Sequence, residues 1–456
     1  MLKPLTFSEL VAPLDARLVG SDCSFDGVST DSRAIVPGQL FIALTGPRFD
    51  GHEYLDQVAA KGAVGALVER EVPDSKLPQL VVLDTRKALA QLGAMNRNAF
   101  VDRPVAAVTG SSGKTTVKEM LASILRTRGP VLATRGNLNN ELGVPLTLLE
   151  LGAEHTSAVI ELGASRVGEI AFTVSLTKPH VAILTNAGTA HVGEFGGPDR
   201  IVEAKGEIIE GLDANGTAVL NLDDKAFPIW QARAGDSKVL TFALNNEAAD
   251  LHASELTRDE RGCPGFTLHS PSGSAQVQLN LLGTHNVTNA LAAAAAACAL
   301  GVSLDGIVEG LNNVQPVKGR AVPHIASNGM RVIDDTYNAN PSSVNAAVDL
   351  LTSFAGRTVL VLGDIGELGE WAEQGHHDVG AYAAGKVSAL YAVGPLMTHA
   401  VSAFGPHARH FITQAELIEA LGVEKDKNTT LLIKGSRSAA MENVVAALCG
   451  SSLEKH

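Results

Sequence analysis

Short apolar runs alternate with amphipathic stretches along this chain, and their order predicts an α/β protein. In the middle of the sequence, runs such as "PVAAVTG", "SAVIELG" and "VAILTNAG" are separated by polar loops and helical patterns. One helical pattern has apolar residues at i, i+3, i+4, i+7 and i+8, a spacing that places them on one helix face. They are Val117, Met120, Leu121, Ile124 and Leu125. Near-continuous apolar strands that alternate with helices are typical of a mostly parallel sheet covered on both faces.

Changes in this pattern divide the chain into three parts. The first part has short β-type runs, such as "QLFIAL" and "QLVVLD", with helix-like stretches between some of them. Near "VQPVKGR" (residues 314–320), proline, glycine and charge interrupt the central pattern, and strands such as "TVLVLGD" and "TLLIKGS" follow. We therefore predict a small N-terminal α/β domain (residues 1–84), a central P-loop-type domain with a mostly parallel sheet (residues 85–316) and a C-terminal Rossmann-like domain (residues 317–456).

One segment of the central part departs from the alternation of strands and helices. In "GFTLHSPSGSAQVQLNL", polar and apolar residues alternate on either side of the "SPSGS" stretch. A period of two around glycine, serine and proline predicts an antiparallel hairpin, which we expect to extend the central sheet.

Composition and charge exclude several classes of protein. Hydrophobic residues make up 45% of the chain and charged residues 19%, as in globular proteins. The formal net charge of -13 argues against binding to nucleic acid or to an anionic membrane, because both need a basic surface. The four cysteines are scattered without a C-x-x-C pair, so neither a zinc site nor a disulfide framework is indicated.

The apolar segments also predict where the protein works. The N-terminus lacks the apolar core of a signal peptide. The longest apolar run, "ALAAAAAACAL" (residues 290–300), is shorter than the ~20 residues of a membrane-spanning helix, so it predicts a tightly packed buried helix. We expect a cytoplasmic monomer without membrane insertion.

The stretch "GSSGKT", from Gly110 to Thr115, lies between a predicted strand and a predicted helix. Glycines let backbone amides approach phosphate oxygens, and the helix N-terminus adds positive potential. Lys114 would neutralise the β- and γ-phosphates, and the Thr115 hydroxyl would bind Mg²⁺. The full pattern has glycine where Val108 stands, so this is a variant, and the alternative is an ordinary Gly-Ser turn. Motif and context together predict a nucleotide site.

Polar residues at the ends of other strands are candidates for the same site, because ligands of open α/β sheets bind at the carboxyl ends of the strands. Glu161 ends "AVIELG" and would complete a Mg²⁺ site with Thr115. Asn186 and His191 follow the next strand. A single histidine after a strand is often a structural residue, but the glycine-rich loop that contains His191 is predicted to face the phosphates. Lys205 lies in a charged helical segment, and the pattern leaves open whether it is a solvated surface residue.

A series of longer motifs resembles the Mur ligase family. In order along the chain they are "TGSSGKTTVKEM", "GNLNNELGVP", "ELGAS", "AKGEI", "GTHNVTNALAAAAAA", "KGR", "DDTYNANPSS", "VLGDIGELGE" and "IKGSRSAAMENV". "STDSRAIVPGQLFIAL" and "RFDGHEYLDQVAAKGA" are similar to the UDP-sugar-binding domain of one branch. The resemblance covers essentially the whole chain. It implies three domains that close around ATP and two further substrates.

The resemblance is strongest to the branch that adds a dipeptide, and it implies a reaction. ATP would phosphorylate the C-terminal carboxylate of UDP-N-acetylmuramoyl-tripeptide, and the amine of D-alanyl-D-alanine would displace phosphate from the acyl phosphate. Peptidoglycan precursor synthesis uses this amide bond. ATP and Mg²⁺ are therefore the implied cofactors, and no nucleic acid is involved.

The resemblance also implies a role for Lys205, which matches the family lysine that reacts with CO₂ to form a carbamate. A carbamate is an anionic oxygen ligand, which suits a site beside Mg²⁺. The implied metal ligands are Thr115, Glu161, His191 and carbamylated Lys205, and the implied catalytic residues are Lys114, Glu161, His191 and Lys205.

Three binding sets follow from the same motifs, residue by residue. The ATP-binding set is Gly110, Ser111, Ser112, Gly113, Lys114, Thr115, Thr116, Asn286, Asn289, Arg320 and Asp335. The UDP-substrate set is Ser29, Thr30, Asp31, Ser32, Arg33, Asn137 and Asn140. The dipeptide set is Tyr337, Asn338, Asn340, Lys434, Ser436 and Arg437, whose cations would pair with a substrate carboxylate. The alternative for the asparagines of "HNVTNA" is that they only cap or solvate the helix. The alternative for "DDTYNANPSS" is an ordinary turn rich in small polar residues.

Other functions fit the motifs less well. Another Mur ligase branch, which adds a single amino acid, would carry a "DNPR" stretch that this sequence lacks. A folylpolyglutamate-synthetase-like enzyme would leave the N-terminal domain unexplained. A GTPase switch would have an "NKxD" stretch, which is absent, and a scaffold without turnover would not need the catalytic set that is present.

Overall fold

The computed structural model describes residues 1–47, 49–188, 195–213, 215–259, 262–316, 319–326, 328–422 and 428–450. Within these ranges the chain forms three large sheets, each built from its own stretch of sequence. The sheets lie within residues 17–81, 105–278 and 322–434. The divisions predicted after residues 84 and 316 fall between these sheets. The predicted three-domain α/β fold is confirmed.

The N-terminal domain is a small sheet with short helices. Its elements are β1 (Leu5–Thr6), α1 (Phe7–Val11), β2 (Arg17–Val19), β3 (Ser24–Phe25), β4 (Gly27–Ser29), β5 (Gln39–Ile42), β6 (Thr45–Gly46), β7 (Phe49–Asp50), α2 (Leu55–Ala60), β8 (Gly65–Val68) and β9 (Gln79–Val81). The strand order of its larger sheet is β2-β9-β8-β5-β4, and β2 is its antiparallel edge.

Helix α3 (Thr85–Ala99) connects this domain to the next one. Asp84 caps it, because its Oδ1 accepts hydrogen bonds from two backbone amides of the first turn, at 2.9 and 3.0 Å. Leu89 and Leu92 pack into the core of the N-terminal domain together with Leu149 of the central domain. The two domains therefore share apolar contacts along α3.

The central domain alternates strands and helices as predicted. Its elements are β10 (Val105–Thr109), α4 (Lys114–Arg126), β11 (Val131–Ala133), α5 (Gly143–Leu149), β12 (Ser157–Glu161), α6 (Glu169–Thr177), β13 (Val181–Leu184), α7 (Pro198–Gly206), β14 (Thr217–Asn221), α8 (Phe227–Ala234), β15 (Lys238–Ala243), β16 (Leu251–Arg258), β17 (Pro264–Ser270), β18 (Gly273–Gln278), α9 (His285–Ala299) and α10 (Leu304–Asn313). The strand order is β11-β12-β10-β13-β14-β15-β16-β17-β18. Pairing is parallel from β11 to β16, and the predicted hairpin β17–β18 is antiparallel.

Both faces of the central sheet are covered. Alternate residues of β10 point to different cores, with Ala106 and Val108 on one side and Val105 and Ala107 on the other. Helix α9 lies in the first core with a run of fully buried alanines, as its sequence predicted. In the ranges described above, no helix has the length and apolar character needed to cross a bilayer. Strand β10 lies between β12 and β13, so the chain direction across the sheet reverses at the carboxyl end of β10, where a ligand crevice is expected.

The C-terminal domain is a second doubly wound sheet. Its elements are β19 (Val322–Ile325), β20 (Arg331–Asp335), α11 (Pro341–Leu351), β21 (Thr358–Gly363), α12 (Ala372–Ala383), β22 (Ala389–Val393), α13 (Met397–Phe404), β23 (Ala408–Phe411), α14 (Gln414–Gly422), β24 (Thr430–Lys434) and α15 (Glu442–Cys449). The strand order is β19-β20-β24-β21-β22-β23, and β19 alone among these strands runs antiparallel to its neighbour. Phe195 and Ile201 of the central domain pack in one cluster with Val344 and Ile365 of this domain, so the two domains share an apolar contact.

Candidate active site

The loop between β10 and α4 has the backbone shape that its glycines predicted. Gly110 has φ +149° and Gly113 has φ +80°, in a region that residues with a side chain rarely adopt. A Cβ atom on Gly110 would collide with the Thr185 hydroxyl, and one on Gly113 would collide with Asn289. Both glycines are therefore required by the conformation and by the close approach of neighbouring elements.

Polar residues at the end of β13 hold this loop in place. The Ser112 amide donates to Asn186 Oδ1 at 3.1 Å, and Asn186 Nδ2 donates back to the Ser112 carbonyl at 3.2 Å. The Thr185 hydroxyl also donates to the Ser112 carbonyl, at 2.7 Å. Asn186, a strand-end candidate from the sequence, thus supports the phosphate loop.

Lys114 lies at the start of α4 and folds back over the loop. Its Nζ donates to the Gly110 carbonyl at 2.7 Å. Burial lowers the pKa of Lys114, the negative charge of Glu161 opposes that shift, and the positive charge of Arg320 adds to it. The three charged side chains therefore act on one another around the loop, as expected for a phosphate site.

Glu161 ends β12 with its side chain buried at 2% exposure. Its Oε1 accepts a hydrogen bond from Asn139 Nδ2 at 2.9 Å. Its Oε2 is buried and finds no hydrogen-bond partner among the described residues. A buried carboxylate oxygen without a donor is costly, and a hard divalent cation is a ligand that would satisfy it. This part of the predicted metal site fits Mg²⁺.

The structure describes only some of the other predicted metal ligands. His191 lies outside the described residues, so its predicted position stays a prediction. Across the ranges that are described, no group of three or more His, Cys, Asp and Glu residues could hold a metal ion. The predicted set does not need such a group, because it also uses the Thr115 hydroxyl and a modified Lys205.

Lys205 is buried on α7, with 1% exposure, so the alternative of a solvated surface lysine is wrong. Its Nζ is 3.4 Å from the Ala164 carbonyl oxygen, to which it donates. Burial lowers the pKa of Lys205 to about 7, and the positive charge of Lys114 adds to this shift, while Glu169 and Glu207 oppose it. The amine is thus held inside the protein close to a second cation.

A cavity of about 230 Å³ lies beside the phosphate loop, between the central and C-terminal domains. It brings together seven residues of the predicted ATP-binding set. They are Ser112, Gly113, Thr116, Asn286, Asn289, Arg320 and Asp335. This size and lining suit part of a nucleotide next to its phosphates.

Asn286 and Asn289 are buried at the start of α9, which excludes the alternative that they solvate the helix. Asn289 Nδ2 donates to Asn286 Oδ1 at 2.8 Å, and Asn286 Nδ2 donates to the Leu282 carbonyl at 2.8 Å. Asn289 Oδ1 lies against Gly113. The pair therefore connects α9 directly to the phosphate loop.

The predicted dipeptide residues are divided between different places. Lys434 lines the same cavity, where its Nζ lies 2.7 Å from Asp335 Oδ2 and donates to the Asn338 carbonyl at 2.9 Å. Tyr337 lies with its ring centroid 4.2 Å from the Arg320 guanidinium carbon. The charge of Lys434 is therefore paired inside the protein, and its predicted contact with a dipeptide carboxylate stays a prediction.

The other members of this set hold backbone groups or face solvent. Asn340 Oδ1 caps α11 by accepting from the Ser343 amide at 2.9 Å. The buried Ser436 hydroxyl donates to the Asp364 carbonyl at 2.7 Å. Asn338 and Arg437 are exposed, and Arg437 forms an ion pair with Glu442 at 3.0 Å.

The predicted UDP-substrate residues form a turn after β4 and part of the loop before α5. Arg33 donates to both carboxylate oxygens of Asp31, at 3.0 and 2.9 Å, and lowers the pKa of Asp31 to about 2. Lys61 donates to the carbonyls of Ser32 and Arg33, both at 2.9 Å. Asn140 Oδ1 accepts a hydrogen bond from the amide of Gly143, the first residue of α5, at 2.8 Å. The Ser29 hydroxyl accepts a hydrogen bond from the Asp31 amide at 3.2 Å, whereas Thr30 is half-buried and Asn137 is exposed.

Comparison with known proteins decides the family. The model of the "Mur ligase family, catalytic domain" matches residues 24–97, the "Mur ligase middle domain" matches residues 108–297, and the "Mur ligase, glutamate ligase domain" matches residues 319–437. The chain is 46% identical to UDP-N-acetylmuramoyl-tripeptide--D-alanyl-D-alanine ligase of Escherichia coli (strain K12), over 97% of this chain and 98% of that protein. The chain belongs to the Mur ligase family.

Solved Mur ligase structures share the arrangement of all three domains. A crystal structure of MurF from Acinetobacter baumannii is 43% identical, with a TM-score of 0.92 over 98% of each chain. MurF from Thermotoga maritima, solved in complex with ADP, is 28% identical, with a TM-score of 0.83 over 92% of this chain and 96% of that one. The match therefore extends beyond single domains to the arrangement of the domains in a Mur ligase.

Sequence reasoning missed three residues of this Mur ligase site. Asn139 contacts Glu161, and its signal was its position between Asn137 and Asn140. His285 lines the cavity beside the phosphate loop, and burial lowers its pKa. Glu367, in the "GDIGELGE" motif, has a positive φ of 63°, and its charge raises the pKa of Lys114. A strained backbone near a charged loop is typical of functional segments.

Proposed function

We propose that this Mur ligase joins D-alanyl-D-alanine to UDP-N-acetylmuramoyl-tripeptide at the expense of ATP, in peptidoglycan precursor synthesis. The relatives that carry this activity in their names match nearly the whole chain. The observation that carries the proposal is that the phosphate loop lies beside the nucleotide cavity at a domain interface, with the charge of the buried Glu161 acting on Lys114 of that loop.

The reaction needs an activated acyl group, because a carboxylate at neutral pH does not lose its oxygen to an amine. The tripeptide carboxylate attacks the γ-phosphorus of ATP, and the bond from that phosphorus to the bridging oxygen breaks. ADP departs, and the tripeptide now carries an acyl phosphate. The amine of D-alanyl-D-alanine then attacks the acyl carbon and gives up a proton, and inorganic phosphate leaves as the amide forms. The terminal phosphoryl group of ATP therefore passes to a carboxylate and is then released as inorganic phosphate.

The first step brings two anions together, so positive charge must be placed around them before they react. Lys114 and the N-terminus of α4 supply it on the central domain, and Arg320 supplies it from the C-terminal domain. The apolar contact that includes Phe195 and Ile365 lies at the same interface. Exclusion of water there would protect the acyl phosphate from hydrolysis.

Thr115 and Glu161 would hold Mg²⁺, together with His191 and carbamylated Lys205. When bound, the ion would neutralise phosphate charge as a Lewis acid. Lys205 suits carbamate formation because it is buried, it contacts the Ala164 carbonyl and it lies near the positive Lys114. The ammonium first loses a proton, and the neutral amine then adds to CO₂ and releases a second proton, so that a buried cation becomes an anion beside Lys114.

The substrate assignments follow the domains. We assign the UDP-linked substrate to the turn from Ser29 to Arg33 and to Asn137 and Asn140, and the dipeptide to the loop from Tyr337 to Asn340 with Arg437. The guanidinium group of Arg33 suits the phosphates of the first substrate, and that of Arg437 suits the carboxylate of the second. We further infer that the enzyme works as a monomer in the cytoplasm, where ATP is available.

Phosphate release measured with ATP and Mg²⁺ tests the function. The four assays contain UDP-MurNAc-tripeptide, D-alanyl-D-alanine, both or neither. Release that requires both substrates, with a pentapeptide product by mass spectrometry, supports the proposal. Release with neither substrate, none with both, or equal turnover of GTP in place of ATP contradicts it.

The carbamate is tested separately with Lys205→Ala, assayed without any added carboxylate. We expect turnover to fall strongly, and we expect ¹³C-labelled bicarbonate to give a carbamate signal in the wild type that the variant lacks. Lys178→Ala, at an exposed lysine that bonds Asn98, is the matched control. Undiminished activity of Lys205→Ala would contradict the proposal that Lys205 is carbamylated.

A further inference from the structure

The two carboxylate oxygens of Glu161 have different surroundings. Oε1 accepts the 2.9 Å hydrogen bond from Asn139 Nδ2, whereas Oε2 is buried without a partner among the residues described. The Asn139 amide carries no net charge, so it fixes the direction of the carboxylate without neutralising it. A lysine or arginine in the place of Asn139 would neutralise the carboxylate and weaken its attraction for a metal cation.

Asn139 is itself held tightly in the loop before α5. Its backbone amide donates to the Asn137 carbonyl at 2.8 Å, and its carbonyl accepts from the Gly163 amide at 2.8 Å. A Cβ atom on Gly163 would lie 2.9 Å from the Asn139 carboxamide carbon. The absence of a side chain at Gly163 therefore lets the carboxamide reach Glu161.

The backbone of Glu161 is also fixed on the opposite side. Its amide donates to the Thr134 hydroxyl at 2.9 Å, and β12, which ends at Glu161, pairs with β10 on one side and β11 on the other. The carboxylate is therefore oriented by its strand and by one side-chain donor. Rotation that moved Oε2 from its buried position would break the bond from Asn139.

We propose that Asn139 is a positioning residue that orients Glu161 so that Oε2 is presented to the divalent cation of the nucleotide. This inference rests on the proposed function, because it takes Glu161 to be a cation ligand there. Residues that orient metal ligands through hydrogen bonds typically change metal affinity by about 10–100-fold when they are removed. Asn139 would then act through Glu161 and touch neither the metal nor the substrate.

Mn²⁺ binding in the presence of a non-hydrolysable ATP analogue tests this role, with free Mn²⁺ followed by electron paramagnetic resonance. We expect Asn139→Ala to weaken Mn²⁺ binding by about 10–100-fold. Affinity for the analogue in EDTA should stay the same. Asn139→Leu fills similar volume without a donor and should give the same loss, so the test does not depend on the alanine variant folding well. Asn245→Ala is the matched control, because exposed Asn245 donates to the Asp223 carboxylate away from this site.

A double-mutant cycle with Glu161→Gln separates positioning from a general effect on the loop. If Asn139 acts through the Glu161 carboxylate, Asn139→Ala should cause no further loss of Mn²⁺ affinity in the Glu161→Gln background. An equal loss in both backgrounds, or unchanged Mn²⁺ affinity in the single variants, overturns the proposal. Wild-type protein that fails to bind Mn²⁺ with the analogue would instead contradict the proposed function together with this inference.

Discussion

The guanidinium of Arg320 donates a hydrogen bond to the Thr115 hydroxyl at 3.3 Å, which links the C-terminal domain to the phosphate loop of the central domain. The Tyr337 ring supports the guanidinium from one side. The Arg320 Nε is buried and has no partner among the described residues, so its N–H can donate to a phosphate oxygen. This contact brings a predicted ATP-binding residue of one domain onto a predicted metal ligand of another.

Arg320→Lys should impair the use of ATP. Lysine keeps the charge but loses the planar donors and the stacking on Tyr337. A hydrogen bond to a charged group contributes about 1.5–3 kcal/mol, so we expect kcat/KM for ATP to fall by at least about tenfold. Arg331→Lys is the matched control, because Arg331 also lies over an aromatic ring, that of Phe354, and also donates to a threonine hydroxyl. Equal losses in the two variants would mean that the effect is structural.

Asn340 should matter first as a helix cap. Its side chain accepts from the Ser343 amide, and loss of such a cap costs about 1 kcal/mol. We expect Asn340→Ala to lower the free energy of unfolding by about that amount and Asn340→Asp to restore it, as measured by urea denaturation. Ser303→Ala, at the cap of α10, should give a similar loss of stability. If the KM for D-alanyl-D-alanine rises in Asn340→Asp while stability is normal, then Asn340 also contacts the dipeptide.

Local pattern was enough to predict most of the architecture. The strands β10, β12 and β13 were predicted from apolar runs, because both faces of the sheet are buried, and α4 was predicted from its helical spacing, because one face of the helix is buried. The short edge strands β11, β19 and β23 were not predicted, because each has few residues and β19 and β23 carry polar side chains. Edge strands depend on a neighbour for their hydrogen bonds, and a single sequence does not show that neighbour.

The sequence predicted those parts of the site in which a motif determines the backbone conformation. It did not predict contacts between side chains that are far apart in the sequence. The "GSSGKT" loop has the predicted glycine conformations. By contrast, the burial of Lys205 depends on Phe195 and on neighbouring segments, and its charged flanks gave no sign of it. Lys434 pairs with Asp335, which is 99 positions away, so its partner was not evident from "KGSRS". Such pairings are set by the register of parallel strands.

The Lys434–Asp335 pair should contribute to stability because both side chains are largely removed from solvent. The side chains are 4% and 17% exposed, and removal of one partner of a buried pair leaves an uncompensated charge at a cost of about 3–5 kcal/mol. We expect Lys434→Met to lower the free energy of unfolding by an amount near that range and Lys434→Met with Asp335→Asn to recover part of it. Lys386→Met removes the exposed 3.5 Å pair with Asp349 and should have little effect. An effect of Lys434→Met as small as that of the control would contradict a buried pair.

His376 should make the C-terminal domain sensitive to acid. The imidazole is fully buried on α12; its Nε2 accepts from the Ile365 amide at 2.9 Å, and Nδ1 donates to the Ala372 carbonyl at 2.6 Å. Burial lowers the pKa of His376 below 6.5, although the Ala372 carbonyl and Asp364 oppose the shift. The unfolded chain therefore binds the proton more readily, and stability should fall as the pH drops below about 6.5. Urea denaturation between pH 5 and pH 7.5 measures this, and His376→Gln, which keeps an acceptor for the Ile365 amide, should flatten the dependence. His377→Gln, at the exposed neighbouring histidine, should leave the wild-type slope, and parallel curves for all three proteins would rule His376 out as the source.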